Sequence, residues 1–156
     1  MSATEKRLAE LGVTLPTPAA PVANYVPVVR TGNLLVVSGQ ICFGPDGKLD
    51  PAHRGKVGGE VTPEAATEAA RLCAINVLAQ VRAAVGDLDR VVRCVRLGGF
   101  INAVPTFAAL PTVMNGASDL MVEVLGDKGR HARTTVGVAE LPVDAAVEVE
   151  ALFEVS

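Results

Sequence analysis

Residues 146–155 alternate without a break: Val147, Val149, Ala151, Phe153 and Val155 fall on one side, and Ala146, Glu148, Glu150, Leu152 and Glu154 on the other. A period of two marks an extended strand with one buried face. A different rhythm governs the middle of the chain. Ala66, Ala70, Cys73, Val77, Val81 and Ala84 recur at steps of three and four, the apolar stripe of a helix about six turns long. Thr62, Pro63 and Glu64 give it an N-cap, a proline at the first helical position and an acid in the electropositive first turn, and Gly86 ends it.

The same patterning supplies the remaining elements. Residues 3–11 predict a short helix with Leu8 and Leu11 on one face, stopped by Gly12. Pro16 to Pro21 is a Pro/Ala connector that resists regular structure. Asn24 to Arg30 is expected to be extended, with Pro27 confining it to an edge or a bulge; the turn signal Thr31-Gly32-Asn33 then joins it to the apolar run Leu34–Ile41 as a hairpin. Residues 44–61, rich in Gly, Pro and charge, predict an exposed loop. Val91–Ile101 predicts a strand in which Gly98-Gly99 invites a bulge. Thr106 to about Val124 predicts a second helix, weakened or split by Pro111 and Gly116. Strands follow at 133–139 and 146–155, separated by Leu141-Pro142.

The order is β-β-α-β-α-β-β, an α+β chain with one mixed sheet and two helices packed on one face. Residues 1–21 form an N-terminal extension and 22–156 the main domain. Such a sheet leaves its other face bare, and the chain offers no further helix of adequate length. A second subunit is therefore expected to cover it.

Composition narrows the function. Apolar residues make up 49 % of the chain and charged residues 20 %, a globular balance. Aromatics are only 3 %, the formal net charge is −3, and no run of Lys or Arg exceeds two residues. Nucleic-acid binding wants a basic stripe and stacking surfaces, and neither is present. Cys42, Cys73 and Cys94 are widely spaced, no CxxC occurs, and His53 and His131 are the only histidines. This argues for reduced thiols and against a metal site. No secretory leader and no apolar stretch of roughly 18 residues is visible, so a cytoplasmic protein without membrane contact is expected.

The strongest chemical signal is Arg133-Thr-Thr-Val-Gly-Val-Ala-Glu-Leu-Pro142, followed by Ala146-Val-Glu-Val-Glu-Ala151. An arginine at the start of a strand presents a planar fork of donors suited to a carboxylate. Glu148, early in the next strand, can place a water or shuttle a proton. On residue type alone, a surface ion pair at Arg133 and an outward-facing Glu148 is the plainer account.

The segment 132–151 resembles the C-terminal signature of the RidA/YjgF family, in which an arginine precedes a V-x-V-A-x-L-P strand and a VEIEA-type strand follows. Tyr25-Val26, Thr31-Gly32-Asn33-Leu34 and Val37-Ser38-Gly39-Gln40-Ile41 are similar to that family's tyrosine, G-N turn and S-G-Q segment. The resemblance spans roughly residues 22–155. It implies a chorismate-mutase-like subunit, a homotrimer with clefts between subunits, and cofactor-free hydrolysis of reactive 2-imino acids to 2-oxo acids and ammonia. Position by position it implies that Arg133 pairs with the substrate carboxylate and Glu148 orients the attacking water. Tyr25, Ser38, Gly39, Asn115 and Thr135 would line the pocket. Thr135 stands where a cysteine is common, so no thiol chemistry is expected there. The N-terminal extension, the 44–61 loop and Asn115–Leu120 mark a divergent branch. Asn115, Ser118 and Asp119 either reshape the pocket or cap a helix, and His131 either reaches the cleft or lies in a solvated loop. A non-catalytic module that captures small carboxylates such as 2-oxo acids stands as the alternative, and a ribonuclease is disfavoured by the charge.

Overall fold

The computed structural model describes residues 1–18, 20–21 and 23–156. Ala19, inside the Pro/Ala connector, and Val22, where the main domain was expected to begin, lie outside the described residues. Three helices, α1 (Ala3–Glu10), α2 (Pro63–Val85) and α3 (Leu110–Leu125), accompany five strands, β1 (Val28–Thr31), β2 (Leu34–Ile41), β3 (Val91–Asn102), β4 (Ala132–Val138) and β5 (Val147–Val155). The sheet runs β1-β2-β5-β3-β4. β3 and β4 are parallel, and the other neighbours are antiparallel. This is the α+β architecture expected, with α2 and α3 against one face.

Local chemistry explains the boundaries. Thr62 Oγ1 accepts from the Ala65 amide, Pro63 opens α2, and Gly86 closes it at a φ of 84°. Along α2 the buried stripe ends on Val85; Ala84, expected inside, is exposed. The β1–β2 hairpin turns through Gly32 at a φ of 58°, a backbone state that glycine adopts without steric cost. β5 buries Val147, Val149, Ala151, Phe153 and Val155, as its alternation demands.

Several expectations are corrected. The strand expected from Asn24 begins only at Val28, because Pro27 has no amide to pair; its carbonyl still accepts from the Ser38 amide at 2.9 Å. The second helix starts at Leu110 rather than Thr106. Pro111 lies in its first turn, where no amide is needed, and Gly116 continues it unbroken. A Cβ on Gly116 would stand 2.0 Å from the Thr67 carbonyl oxygen, so the glycine is where α3 crosses α2. Gly98 and Gly99 keep regular register, and the irregularities fall between Val37 and Gln40, Val91 and Arg93, and Cys94 and Arg96. The glycines instead admit close neighbours: a Cβ on Gly99 would meet Met114 Sδ at 2.4 Å. The 44–61 segment is not a simple exposed loop, since His53, Gly55, Val57 and Val61 are buried and Val57 bridges to Ala103.

The N-terminal segment joins the same core. Ser2 and Glu5 form a reciprocal cap on α1, Asp89 accepts from the Ala3 and Thr4 amides, and Leu8 and Leu15 are buried with the rest. The opposite face of the sheet is bare. Val29, Val36 and Leu152 lie in register across β1, β2 and β5, as do Val136 and Phe100 on β4 and β3. Val29, Val36 and Val136 are 51 %, 46 % and 41 % exposed, large fractions for β-branched side chains in mid-sheet.

Candidate functional site

Two half-sites occupy opposite faces of the sheet. Arg133 on β4 pairs with Leu97, which pairs with Ala151, both buried beneath the helices. Glu148 on β5 pairs with Phe100, which pairs with Val136 on the bare face. Register partners project to the same side of a sheet. Within one chain, the arginine and the glutamate therefore point away from each other.

The first half-site sits where β4 meets α3. Arg133 Nη1 donates to Asn115 Oδ1 at 2.9 Å and to Ser118 Oγ at 3.0 Å, and Nη2 donates to the Pro111 carbonyl at 3.2 Å. All three acceptors are neutral, and Arg133 takes part in none of the ion pairs among the described residues. Its charge is thus oriented without being cancelled. Ser118 Oγ also lies 2.9 Å from His131 Nε2, and His131 Nδ1 lies 2.6 Å from the Gly129 carbonyl. The Gly129 carbonyl can only accept, so His131 Nδ1 carries a hydrogen toward it, and in the neutral ring Nε2 accepts from the Ser118 hydroxyl. His131 is accordingly half-buried and tethered rather than solvated. Thr135, two residues on and on the same face, has a buried Oγ1 without a hydrogen-bond partner. Asp119 is exposed and outside this network.

The second half-site opens at the edge of β2. β1 pairs with that strand through Val37, Ser38 adds a bond to the Pro27 carbonyl, and no described strand pairs with residues 39–41 on that side. A cavity of about 400 Å³ opens there, lined by Tyr25, Gly39, Gln40 and Glu148 together with parts of α2 and the N-terminal connector. Gly39 is indispensable to its shape, because a Cβ there would lie 2.2 Å from Glu148 Oε1. Burial, and then the neighbouring charge of Glu150, hold the Glu148 carboxyl above the ordinary glutamate range. Tyr25 is 54 % exposed at the rim. Ser38 does not line the cavity; its hydroxyl donates to the Val26 carbonyl at 2.8 Å and anchors the segment that carries Tyr25.

Of the site residues expected from sequence, Arg133, Asn115 and Thr135 thus gather where β4 meets α3, and Tyr25, Gly39 and Glu148 around a cavity at the β2 edge, toward the other end of the sheet. Asn76 and Gln80, four residues apart on α2, also line the cavity. Their signal was a polar pair interrupting an apolar stripe. The wall formed by Pro16, Pro18 and Pro21 had no periodic signal at all. Among the described residues no three His, Cys, Asp or Glu side chains gather as metal ligands. No described helix is long and apolar enough to cross a membrane. Cys42 and Cys73 are free and buried side by side, the first held down to about 7 by its hydrogen bond with the second.

Comparison with known proteins adds the following. A family model described as YjgF/chorismate mutase-like, putative endoribonuclease matches residues 5–155. Protein TCP17 of Trypanosoma cruzi is 48 % identical over 150 residues, covering 96 % of this chain and 92 % of that protein. The crystal structure of a protein of unknown function from Agrobacterium tumefaciens aligns at a TM-score of 0.91 and 49 % identity, covering 98 % of this chain and 92 % of its own. E. coli TdcF, solved with bound serine, aligns at 0.63 and 27 % identity over 92 % of this chain and 96 % of its own.

Proposed function

The chain belongs to the YjgF/chorismate-mutase-like family, which includes RidA, and on that premise we propose that it hydrolyses 2-imino acids to 2-oxo acids and ammonium in clefts between the subunits of a homotrimer. The observation that carries this reading is the separation of Arg133 and Glu148 onto opposite sheet faces. Each half-site lacks what the other has. Among the described residues, one offers an uncancelled guanidinium with no acid paired to it, and the other an acid in a cavity that no cation lines. A second copy, laid against the bare apolar face, supplies the missing half to each.

The chemistry needs little beyond these groups. A protonated imine is already electrophilic at carbon. The Arg133 fork grips the carboxylate and orients that carbon, an interaction worth about 1.5–3 kcal/mol. Water adds to the C=N carbon while Glu148 accepts a proton from it. The same carboxyl then returns that proton to nitrogen and takes the hydroxyl proton as the C–N bond breaks and C=O forms; the departing ammonia collects it, and the 2-oxo acid and ammonium leave. A carboxyl held above its usual range retains that proton more readily near neutrality.

TdcF's bound serine has a carboxylate and a nitrogen on adjacent carbons, the skeleton of a 2-imino acid. Serine is also a stable ligand, and this favours a second reading: a module that holds small carboxylic acids without turning them over. An RNA-cleaving role finds less support, since the residues lining the cavity carry one charge, the negative one of Glu148.

The deciding experiment generates short-lived imines in situ from amino acids with an oxidase and follows their loss in parallel with wild type and Arg133→Ala. Accelerated loss, reduced roughly ten- to a hundredfold by the substitution, is expected. Ligand binding without acceleration, in a folded oligomer, selects the second reading.

A further inference from the structure

Described residues of the connector before β1 line the cavity that holds Glu148. Pro16, Pro18 and Pro21 line the same cavity as Glu148, facing Ile41, Phe43 and Pro45. Between these walls three side-chain amides are tied to the protein itself. Asn76 Nδ2 donates to the carbonyls of Ile41 and Phe43, both at 3.0 Å; Gln40 Nε2 donates to the Ser38 carbonyl at 3.0 Å; and Gln80 Nε2 lies 3.4 Å from Gln40 Oε1. Among the described residues lining the cavity, Glu148 is the one that carries a charge.

We propose that this cavity selects acids with a large, uncharged, apolar side chain, branched or aromatic, and that the proline connector is the specificity wall. The inference rests on the imine- or 2-oxo-acid-binding reading above and names the substrate class of that site. The volume of about 400 Å³ falls within the roughly 300–1,000 Å³ of small-molecule sites and exceeds what a methyl group fills. With the acid head drawn to the neighbour's Arg133 and the reacting carbon held at Glu148, the side chain extends toward the prolines. A second carboxylate there meets no cation and is repelled by Glu148. An ammonium group there gives up its hydration among prolines. Proline walls suit the task, because their fixed φ presents apolar surface at little ordering cost.

The test measures affinities of full-length protein for four 2-oxo acids that differ only in side chain: pyruvate, 4-methyl-2-oxopentanoate, phenylpyruvate and 2-oxoglutarate. Binding is expected to be roughly tenfold or more tighter for the branched and aromatic acids than for pyruvate, at about fourfold per buried methylene. 2-Oxoglutarate should bind weakest. Pro18→Arg, which places a cation in the wall without touching the sheet, should reverse the order in favour of 2-oxoglutarate. Equal affinities, a preference for pyruvate, or an order unmoved by Pro18→Arg overturns the inference. These outcomes are read from binding, so they stand whether or not imines turn over. Failure of all four acids to bind would instead defeat both the underlying carboxylate-site reading and this inference.

Discussion

The Cα of Gly39 lies so close to the carboxyl of Glu148 that an added methyl would fall 2.2 Å from Oε1 and 2.9 Å from Cδ. The obstructing atoms are the far end of a flexible side chain, so the fold can yield by swinging Glu148 aside. Gly39→Ala is therefore expected to unfold at nearly the parent temperature while losing most imine turnover, at least roughly tenfold given what positioned acid–base groups contribute. Paired melting and rate measurements check this. Full activity in Gly39→Ala would show that the position of Glu148 does not matter.

Gly116 offers the opposite case. A Cβ there would meet the Thr67 carbonyl oxygen at 2.0 Å and its carbon at 3.0 Å, both backbone atoms of α2. No rotamer change relieves that contact, and the two helices must separate. Gly116→Ala should cost about 1–3 kcal/mol, seen as a fall in Tm of roughly 2–12 °C for a domain of this size. An unchanged Tm would mean that α3 does not cross α2 so closely.

These two glycines show where the sequence was legible and where it was not. Period two in β5 and period three-to-four in α2 report burial directly, because each repeat follows from one backbone geometry, and both elements stand where the pattern put them. Gly116 looked like a helix breaker because propensity is local, whereas its reason for being there is Thr67 on another helix. Arg133 and Glu148 were visible as residues with suitable chemistry, but their placement on opposite faces depends on strand order, which no local pattern encodes. The proline wall escaped notice because irregular segments carry no period.

Glu148 also predicts a pH dependence of stability. Its carboxyl is held above the usual range by burial first and by Glu150 second. A group whose folded value is raised favours folding below its unfolded value, about 4.3 for glutamate. That contribution is lost as the pH rises through the folded value. Toward neutral pH the cost of ionising this carboxyl inside the fold therefore weakens it, and Glu148→Gln removes that cost. Denaturant unfolding should find the variant more stable than the parent at neutral pH, with the gap closing as the buffer approaches about pH 4. A gap of opposite sign, or one independent of pH, would contradict the assigned environment.

The separation of the two half-sites makes its own prediction, which needs no knowledge of the preferred substrate. Arg133→Ala leaves the Tyr25–Gly39–Glu148 cavity intact, and Glu148→Gln leaves the Arg133–Asn115–Ser118 cluster intact. If a working cleft takes its arginine from one chain and its glutamate from the next, two impaired proteins can complement each other. Refolded together in equal amounts into a cyclic assembly, random mixing gives about a quarter of the clefts both native halves. Activity should then recover toward about a quarter of the wild-type value, whereas each variant refolded alone stays at its own low residual rate. Were both groups to serve one chain's own site, every cleft in the mixture would carry one lesion and no activity would return. Recovery on mixing thus distinguishes a shared cleft from a private one, and the shared one is the outcome predicted from the faces that Arg133 and Glu148 occupy.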